Sequence, residues 1–192
     1  MNTKEKIQNV AIKMFSSKGY AETSLREISA DLNISKAALY YHFSSKEEIF
    51  TSIIENIFKE TIKFNQELAS QNIPTCEILR KWIEHIIGSA IEKNDIWQIM
   101  RQIMIGKFNN RLHNIDLRSF IDKNFEILNS VMKKGIERKE IRSDIDSRFL
   151  TITFLSSLHS VLGPLKSNIK NLTNKKTSES LYKLIYDGMK KQ

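Results

Sequence analysis

The sequence predicts an all-α protein of about nine helices, because apolar residues recur along it at intervals of three and four. Only six glycines and two prolines occur in 192 residues, which favours helices over the frequent turns of a β-sandwich or barrel. Hydrophobic residues make up 41% and charged residues 27% of the chain. These values are typical of a folded, water-soluble protein.

The first predicted helix runs from about residue 3 to 18 and ends at Gly19. Its apolar face consists of Ile7, Val10, Ala11, Met14 and Phe15. The spacing of these residues follows the 3.6-residue period, so the helix has one face for a core and one for solvent.

A helix-turn-helix is predicted at about residues 24–43. Ser24 followed by Glu27 predicts a capping box at the start of a short second helix. Asn33 stands at the turn, where asparagine tolerates left-handed backbone better than most residues. Ser35 is expected to cap a third helix.

The third helix has an apolar face and an outward basic and aromatic face. Leu39 and Phe43 are four residues apart and are expected to point into the core. The other faces carry Lys36, Ala37, Tyr40 and Tyr41. A helix that presents such residues after a tight turn has the layout that enters a DNA major groove.

The remainder of the chain shows helical periodicity without a recognisable motif. Helices are predicted at about 46–70, 75–91, 96–106, 117–138, 146–163 and 178–190. We therefore expect a DNA-binding domain at residues 1–46 and a larger helical domain at residues 47–192.

The net charge of +8 does not locate a DNA site. Residues 1–50 contain seven Lys and Arg against six Asp and Glu, so most of the excess positive charge lies beyond them. The N-terminal stretch has no export signal, and no stretch reaches the roughly 20 apolar residues of a spanning helix. A cytoplasmic protein without membrane contact is expected.

Chemistry-bearing residues are scattered along the chain. Cys76 is the one cysteine, which excludes an internal disulfide; a redox role and an inert thiol remain open for it. His85, His113 and His159 lack the spacing of metal ligands. Without a nucleophile and base pair or a glycine-rich phosphate loop, neither an enzyme nor a cofactor is predicted.

Residues 19–50, GYAETSLREISADLNISKAALYYHFSSKEEIF, resemble the N-terminal DNA-binding domain of the TetR family of transcriptional regulators. The match lies in Gly19-Tyr20, Thr23-Ser24, Ile28, Ser35, the run from Leu39 to Phe43, and Lys46-Glu47. The sequence departs from the family at Ser29, Leu32 and Asn33, where alanine and glycine are most frequent.

The resemblance implies a homodimer that places two third helices in successive major grooves of a palindromic operator. It also implies a C-terminal pocket for a small hydrophobic or aromatic effector whose binding releases the DNA. A ligand-released repressor is the predicted function. A constitutive DNA-binding protein without an effector and an activator of the same family remain alternatives.

The predicted DNA-binding residues are Thr23, Ser24, Arg26, Ser35, Lys36, Ala37, Tyr40, Tyr41, His42 and Lys46. Lys36 can reach guanine acceptors or a phosphate, and the two tyrosines can contact sugar and phosphate. The resemblance assigns phosphate contacts to His42 and Lys46, although a lysine at this place is equally a solvated helix residue. Ser24 can serve as a helix cap and bind phosphate at once.

Two further sets of residues are candidates for ligand binding and assembly. The effector pocket candidates are Trp82, Trp97, Met100, Met104, Phe108 and Phe125, each of which also suits an ordinary core position. The dimerisation candidates, on the last two helices, are Phe149, Phe154, Leu158, Leu181 and Ile185. Burial of these two helices within one subunit is the alternative.

Overall fold

Nine helices make up almost all of the regular structure in the computed structural model, which describes residues 2–104, 115–162 and 174–190. The helices are α1 (Thr3–Ser17), α2 (Leu25–Asp31), α3 (Lys36–His42), α4 (Lys46–Ala69), α5 (Thr75–Glu92), α6 (Asn94–Met104), α7 (Leu117–Glu137), α8 (Ser147–Leu162) and α9 (Asn174–Met189). Within these ranges, the other regular backbone pairing is an isolated antiparallel β-bridge between Ile141 and Lys190. The predicted all-α fold is confirmed.

The chain divides into two compact units, and the division differs from the expected boundary after residue 46. The N-terminal unit comprises Met1–Lys59 and Lys93–Asp116, and the C-terminal unit comprises Glu60–Glu92 and Leu117–Gln192. The first half of α4 therefore belongs to the N-terminal unit, together with α6. Helix α6 joins this unit because it packs against α1, a contact between segments far apart in sequence.

The core of the N-terminal unit is built from the predicted apolar faces. Its fully buried side chains include Ile7, Ala11, Phe15, Ile28, Leu39, Phe43, Ile49, Phe50, Ile53 and Ile54. At its centre the rings of Phe15, Tyr20 and Phe50 lie 5.0 to 5.8 Å apart in tilted and edge-to-face arrangements. Such aromatic pairs stabilise packing beyond the area they bury, and they join α1 and α4 to the loop before α2.

The core of the C-terminal unit joins α5, α7, α8 and α9, with α5 packed on α9 and α7 on α8. Trp82 is its largest fully buried side chain. A side chain at Gly135 would place its Cβ 2.8 Å from Ile141 Cδ1 and 2.9 Å from Thr75 Oγ1. A larger residue at this position of α7 would therefore require the side chain of Ile141 or Thr75 to shift. The Glu140 carboxylate accepts a 2.6 Å hydrogen bond from the Thr75 amide and anchors the start of α5.

Candidate nucleic-acid interface

The helix-turn-helix begins with the predicted capping box. The Ser24 hydroxyl accepts a hydrogen bond from the Glu27 amide at 3.2 Å, and the Ser24 amide donates to Glu27 Oε2 at 2.8 Å. Both groups satisfy helix-end donors that would otherwise be unpaired. Ser24 thus acts as the N-cap of α2, as one of its two predicted roles requires.

The turn between α2 and α3 depends on Asn33. Its φ of 52° lies in the left-handed region, as predicted from its tolerance of this conformation. The Ile34 amide then donates to the Ser29 carbonyl at 3.0 Å. Ser35 caps α3 by accepting a 3.0 Å hydrogen bond from the Ala38 amide, so α3 starts where the sequence indicates.

Helix α3 has one buried side and one open side. Leu39 is 0% exposed and Phe43 at its C-terminus 1% exposed, which fixes α3 to the unit. Tyr41 is 86% and Tyr40 49% exposed. Lys36 and Ala37 are exposed as well, and α3 contains no acidic residue. An anchored helix therefore presents a basic and aromatic surface to solvent, here called the α3 outer face: Ser35, Lys36, Ala37, Tyr40 and Tyr41.

The predicted residues around α3 differ in accessibility. Arg26 is exposed on α2, and His42 is half-buried with its ring edge-on to Tyr41 at 5.1 Å. Thr23 is only 1% exposed, and its hydroxyl donates to the Gly19 carbonyl at 2.9 Å. The Thr23 side chain closes the loop before α2 and is not presented on the surface, and its DNA contact stays a prediction.

Lys46, predicted to contact phosphate, is bound within the unit. Its ammonium donates to the carbonyls of Tyr20 and Thr23 at 2.7 Å each and to that of Ala21 at 3.2 Å. The Nζ atom also lies 4.5 Å from the centroid of the Tyr20 ring. These partners lie 23 to 26 residues away in sequence, so helical periodicity gives no sign of them.

Two acidic side chains near the helix-turn-helix, Glu27 and Glu48, are held by local donors. The Lys18 ammonium, 2.5 Å from Glu27, together with the Ser24 amide and hydroxyl lowers the pKa of Glu27 to about 2. The hydroxyl and amide of Ser44 similarly lower the pKa of Glu48 at the start of α4. Both carboxylates are therefore charged at neutral pH and occupy the N-termini of α2 and α4, while α3 lacks such a group.

The effector pocket candidates fall into different parts of the structure. Trp82 is 2% exposed within the C-terminal core, and Phe125, also in that unit, is half-buried with the Arg148 guanidinium 4.9 Å from its ring. Trp97 and Met100 are half-buried on α6 in the N-terminal unit. Phe108 and the Met104 side chain lie outside the described residues.

The dimerisation candidates are mostly buried within the chain. Phe154, Leu158, Leu181 and Ile185 are 0 to 7% exposed in the C-terminal core, so in this fold they do not offer a surface to a partner. Phe149 is 61% exposed. Two further apolar residues that were not among the candidates, Ile152 and Leu184, are 51% and 77% exposed on α8 and α9. Apolar periodicity places the buried and the exposed residues on helices alike, so it does not tell which of them face solvent.

The remaining candidates, Cys76 and the scattered histidines, do not form a shared site among the described residues. No group of three or more His, Cys, Asp or Glu side chains in the described ranges could hold a metal ion. His85 stacks on Phe64 with 3.6 Å between ring centroids; His113 and the His159 side chain fall in the parts not described. Cys76 is half-buried. The partial burial of the nearby Tyr186 hydroxyl raises the pKa of that tyrosine to about 12. Among the described helices, none is long and apolar enough to span a membrane.

A capped helix-turn-helix with an exposed basic and aromatic second helix is the arrangement by which helix-turn-helix proteins bind DNA. Residues 7–53 match the family described as bacterial regulatory proteins, tetR family. Within these residues the chain is similar to the DNA-binding domain of the TetR family.

One curated relative is the icaADBC biofilm operon HTH-type negative transcriptional regulator IcaR of Staphylococcus epidermidis. It is 51% identical over 61 residues, which cover 32% of this chain and 33% of the relative. The chain therefore matches only a third of that relative's length. That relative is named as a negative transcriptional regulator.

Two solved structures are similar in fold over 96% of this chain. The TetR family transcriptional regulator PfmR of Thermus thermophilus is 26% identical, with a TM-score of 0.76 over 96% of this chain and 99% of that one. The regulator FadR of Bacillus subtilis, solved in complex with stearoyl-CoA, is 16% identical, with a TM-score of 0.77 over 96% and 98%. The FadR likeness concerns the fold alone.

Proposed function

We propose that this protein is a homodimeric transcriptional repressor that binds a palindromic operator through α3 and is released by a small effector. The observation that carries the proposal is the arrangement of α3, which is anchored by Leu39 and Phe43 and leaves Tyr40, Tyr41 and Lys36 open to solvent. A rigid helix with exposed donors and rings is suited to major-groove contact.

The α3 outer face supplies different kinds of contact. Lys36, in the first turn, can reach the O6 and N7 acceptors of guanine or a phosphate. The two tyrosines offer ring surface to sugars and hydroxyls to phosphates. Arg26, exposed on α2, and His42, half-buried at the end of α3, are assigned to contacts with the phosphate backbone. The Ser24 hydroxyl, already the cap of α2, donates to Glu27 Oε2 at 2.9 Å, so a phosphate contact by Ser24 requires this proton to turn from Glu27 to the phosphate.

A symmetric dimer is needed because two α3 helices must be roughly 34 Å apart to enter successive major grooves. We assign its surface to exposed apolar residues of the last two helices, Phe149, Ile152 and Leu184. On the same face of α8, the hydroxyls of Thr153 and Ser160 donate to carbonyls four residues earlier at 2.9 Å. Because these hydroxyls are already satisfied, they can be buried against a partner helix at little polar cost.

The effector site is assigned to the C-terminal unit. Half-buried Phe64, Ile86 and Ile127 pack against its core, and an amide pair is formed by Asn65 and Asn124, with 2.6 Å between nitrogen and oxygen. An apolar lining with a few polar groups is typical of small-molecule pockets. The FadR of similar fold was solved with stearoyl-CoA, which supports a hydrophobic effector. Phe125 is also assigned to this effector site.

Release requires only that the effector prefers the state that does not bind DNA. The coupling free energy between two such sites is typically about 1 to 3 kcal/mol. A ligand with equal affinity for both states would shift nothing, however tightly it bound. Release therefore depends on a difference in affinity between the two states and not on the affinity alone.

The function can be tested by selection of DNA and then of ligands. Purified protein is used to enrich sequences from a random duplex library, and the enriched duplex is titrated at several salt concentrations. A palindromic motif whose affinity falls steeply with salt supports the proposal. Fatty acids, fatty-acyl-CoA and aromatic compounds are then screened for thermal stabilisation and for release of the duplex. Failure to enrich any motif contradicts DNA recognition, and stabilising ligands that leave the complex intact contradict effector release.

A further inference from the structure

The ammonium of Lys46 is enclosed by the loop that leads into the helix-turn-helix. A lysine ammonium has three N–H donors and no acceptor. Three carbonyls, those of Tyr20, Ala21 and Thr23, accept from it at 2.7, 3.2 and 2.7 Å. The donor capacity of the side chain is therefore fully used within the protein, and the Tyr20 ring at 4.5 Å adds a cation–π contact.

The path of this loop turns its carbonyls toward the ammonium. Gly19 leaves α1 with φ of 92°, and the Thr23 hydroxyl folds back to the Gly19 carbonyl at 2.9 Å. The Tyr20 carbonyl also accepts a longer bond, 3.4 Å, from the Thr23 amide. Three carbonyl dipoles thus converge on one point. Without a cation there, their mutual repulsion and partial desolvation would open the loop.

We propose that Lys46 is a positioning residue for DNA binding, which holds the loop of residues 20–23 and the start of α4 in register, and that it does not contact a phosphate. The assignment rests on the proposed DNA-binding function. Ser24 and Arg26 follow directly after this loop, so the three hydrogen bonds fix where α2 begins. Lys46 is also the first residue of α4. A movement of the start of α4 would therefore stretch or break the same three hydrogen bonds.

A DNA-free labelling experiment tests the assignment independently of the proposed function. The full-length protein is treated with limiting acetylating reagent, and the rates at Lys46 and at exposed Lys36 are compared by mass spectrometry. Lys46 is expected to react at least about tenfold more slowly, the factor that one or two retained hydrogen bonds provide. Equal rates at the two lysines in the free protein would overturn the proposal.

DNA titrations with matched variants give the second test. Lys46→Met is expected to weaken binding at least about tenfold at a temperature where it is fully folded, with the slope of log affinity against log salt unchanged. Arg26→Met is the control, because Arg26 is assigned to the phosphate backbone, and it is expected to reduce that slope by about 0.9 for each phosphate that the variant no longer neutralises. Lys46→Arg, which retains donors, should recover part of the affinity. A reduced slope in Lys46→Met identifies a direct phosphate contact and refutes the assignment.

The two tests separate the possible failures. If the wild type binds no duplex while Lys46 is protected from acetylation, the proposed function fails and the loop geometry stands. If the wild type binds DNA while Lys46 reacts as fast as Lys36, the positioning role fails and the proposed function stands.

Discussion

The Ser16 hydroxyl donates a 2.7 Å hydrogen bond to Asp95 Oδ1, which joins α1 to α6 across 79 residues of sequence. Ser16 is 9% exposed and Asp95 is half-buried. A hydrogen bond to a partly desolvated carboxylate is stronger than one between neutral groups. This hydrogen bond therefore helps to hold α6 against α1 within the N-terminal unit.

We expect Ser16→Ala to lower the free energy of unfolding by about 1 to 2 kcal/mol, because the Asp95 carboxylate is deprived of a donor. The free energy of unfolding is measured by urea denaturation. The comparison requires that its slope against urea concentration is the same in the variant and the wild type. Ser17→Ala is the matched control. The Ser17 hydroxyl bonds only to carbonyls of its own helix, those of Lys13 and Met14, and its removal is expected to cost less than about 0.5 kcal/mol. Equal effects of the two substitutions would contradict the link.

Glu27 makes the stability of the protein depend on pH in the acid range. Its pKa is about 2 in the folded protein, against an ordinary value of 4.5, first because of the Lys18 ammonium and then because of Ser24. A lowered folded pKa stabilises the fold above pH 4.5, and this stabilisation is lost as the pH falls from 4.5 towards 2.

Glu27→Gln tests this dependence, because glutamine does not titrate. At neutral pH the variant should melt at a lower temperature than the wild type. The difference should shrink as the pH falls from 4.5 towards 2. Glu22→Gln, which removes an exposed carboxylate from the preceding loop, serves as the control. A constant difference in melting temperature across this range would contradict the role of Glu27.

Tyr41 and Lys36 should affect DNA binding in different ways. Tyr41→Ala is expected to weaken binding to all duplexes by about tenfold, since phosphate and sugar contacts carry no sequence information. Its melting temperature should barely change, because the side chain is 86% exposed. Lys36→Ala should instead relax base preference at one position in each half-site. A uniform weakening on every sequence for Lys36→Ala would exclude base reading.

Substitutions at an exposed and at a buried apolar residue of α9 distinguish an effect on dimer formation from an effect on folding. Leu184→Glu is expected to shift the protein from dimer to monomer in sedimentation experiments, because it places charge on a proposed interface residue that is 77% exposed. Ile185→Glu, at a position 7% exposed, should unfold the C-terminal unit. The neighbouring exposed Lys183→Glu is the control and should leave the dimer intact. A dimer that survives Leu184→Glu would remove α9 from the interface.

Local features were predictable from the sequence because they depend on neighbouring residues. The caps at Ser24 and Ser35 and the left-handed Asn33 each follow from side chains within three residues or from intrinsic backbone preference. The buried pair Leu39 and Phe43 follows from helical spacing.

Features that depend on distant segments were not predictable in the same way. The carbonyls that bind Lys46 are brought to it by the fold, and the Asp95 partner of Ser16 belongs to a different helix. Periodicity shows that Leu181 and Leu184 are apolar helix residues, but burial of one and exposure of the other depends on where α5 and α8 pack.

Recognition through α3 can be measured as the ratio of affinities for the selected duplex and for a scrambled duplex of equal length, by fluorescence anisotropy at one fixed salt concentration. We predict that the wild type prefers the selected duplex by a factor on the order of 10³ or more, and that combined alanine substitution of Lys36, Tyr40 and Tyr41 abolishes this preference. Equal binding of both duplexes by the wild type, or an unchanged preference in the triple variant, would contradict recognition through α3.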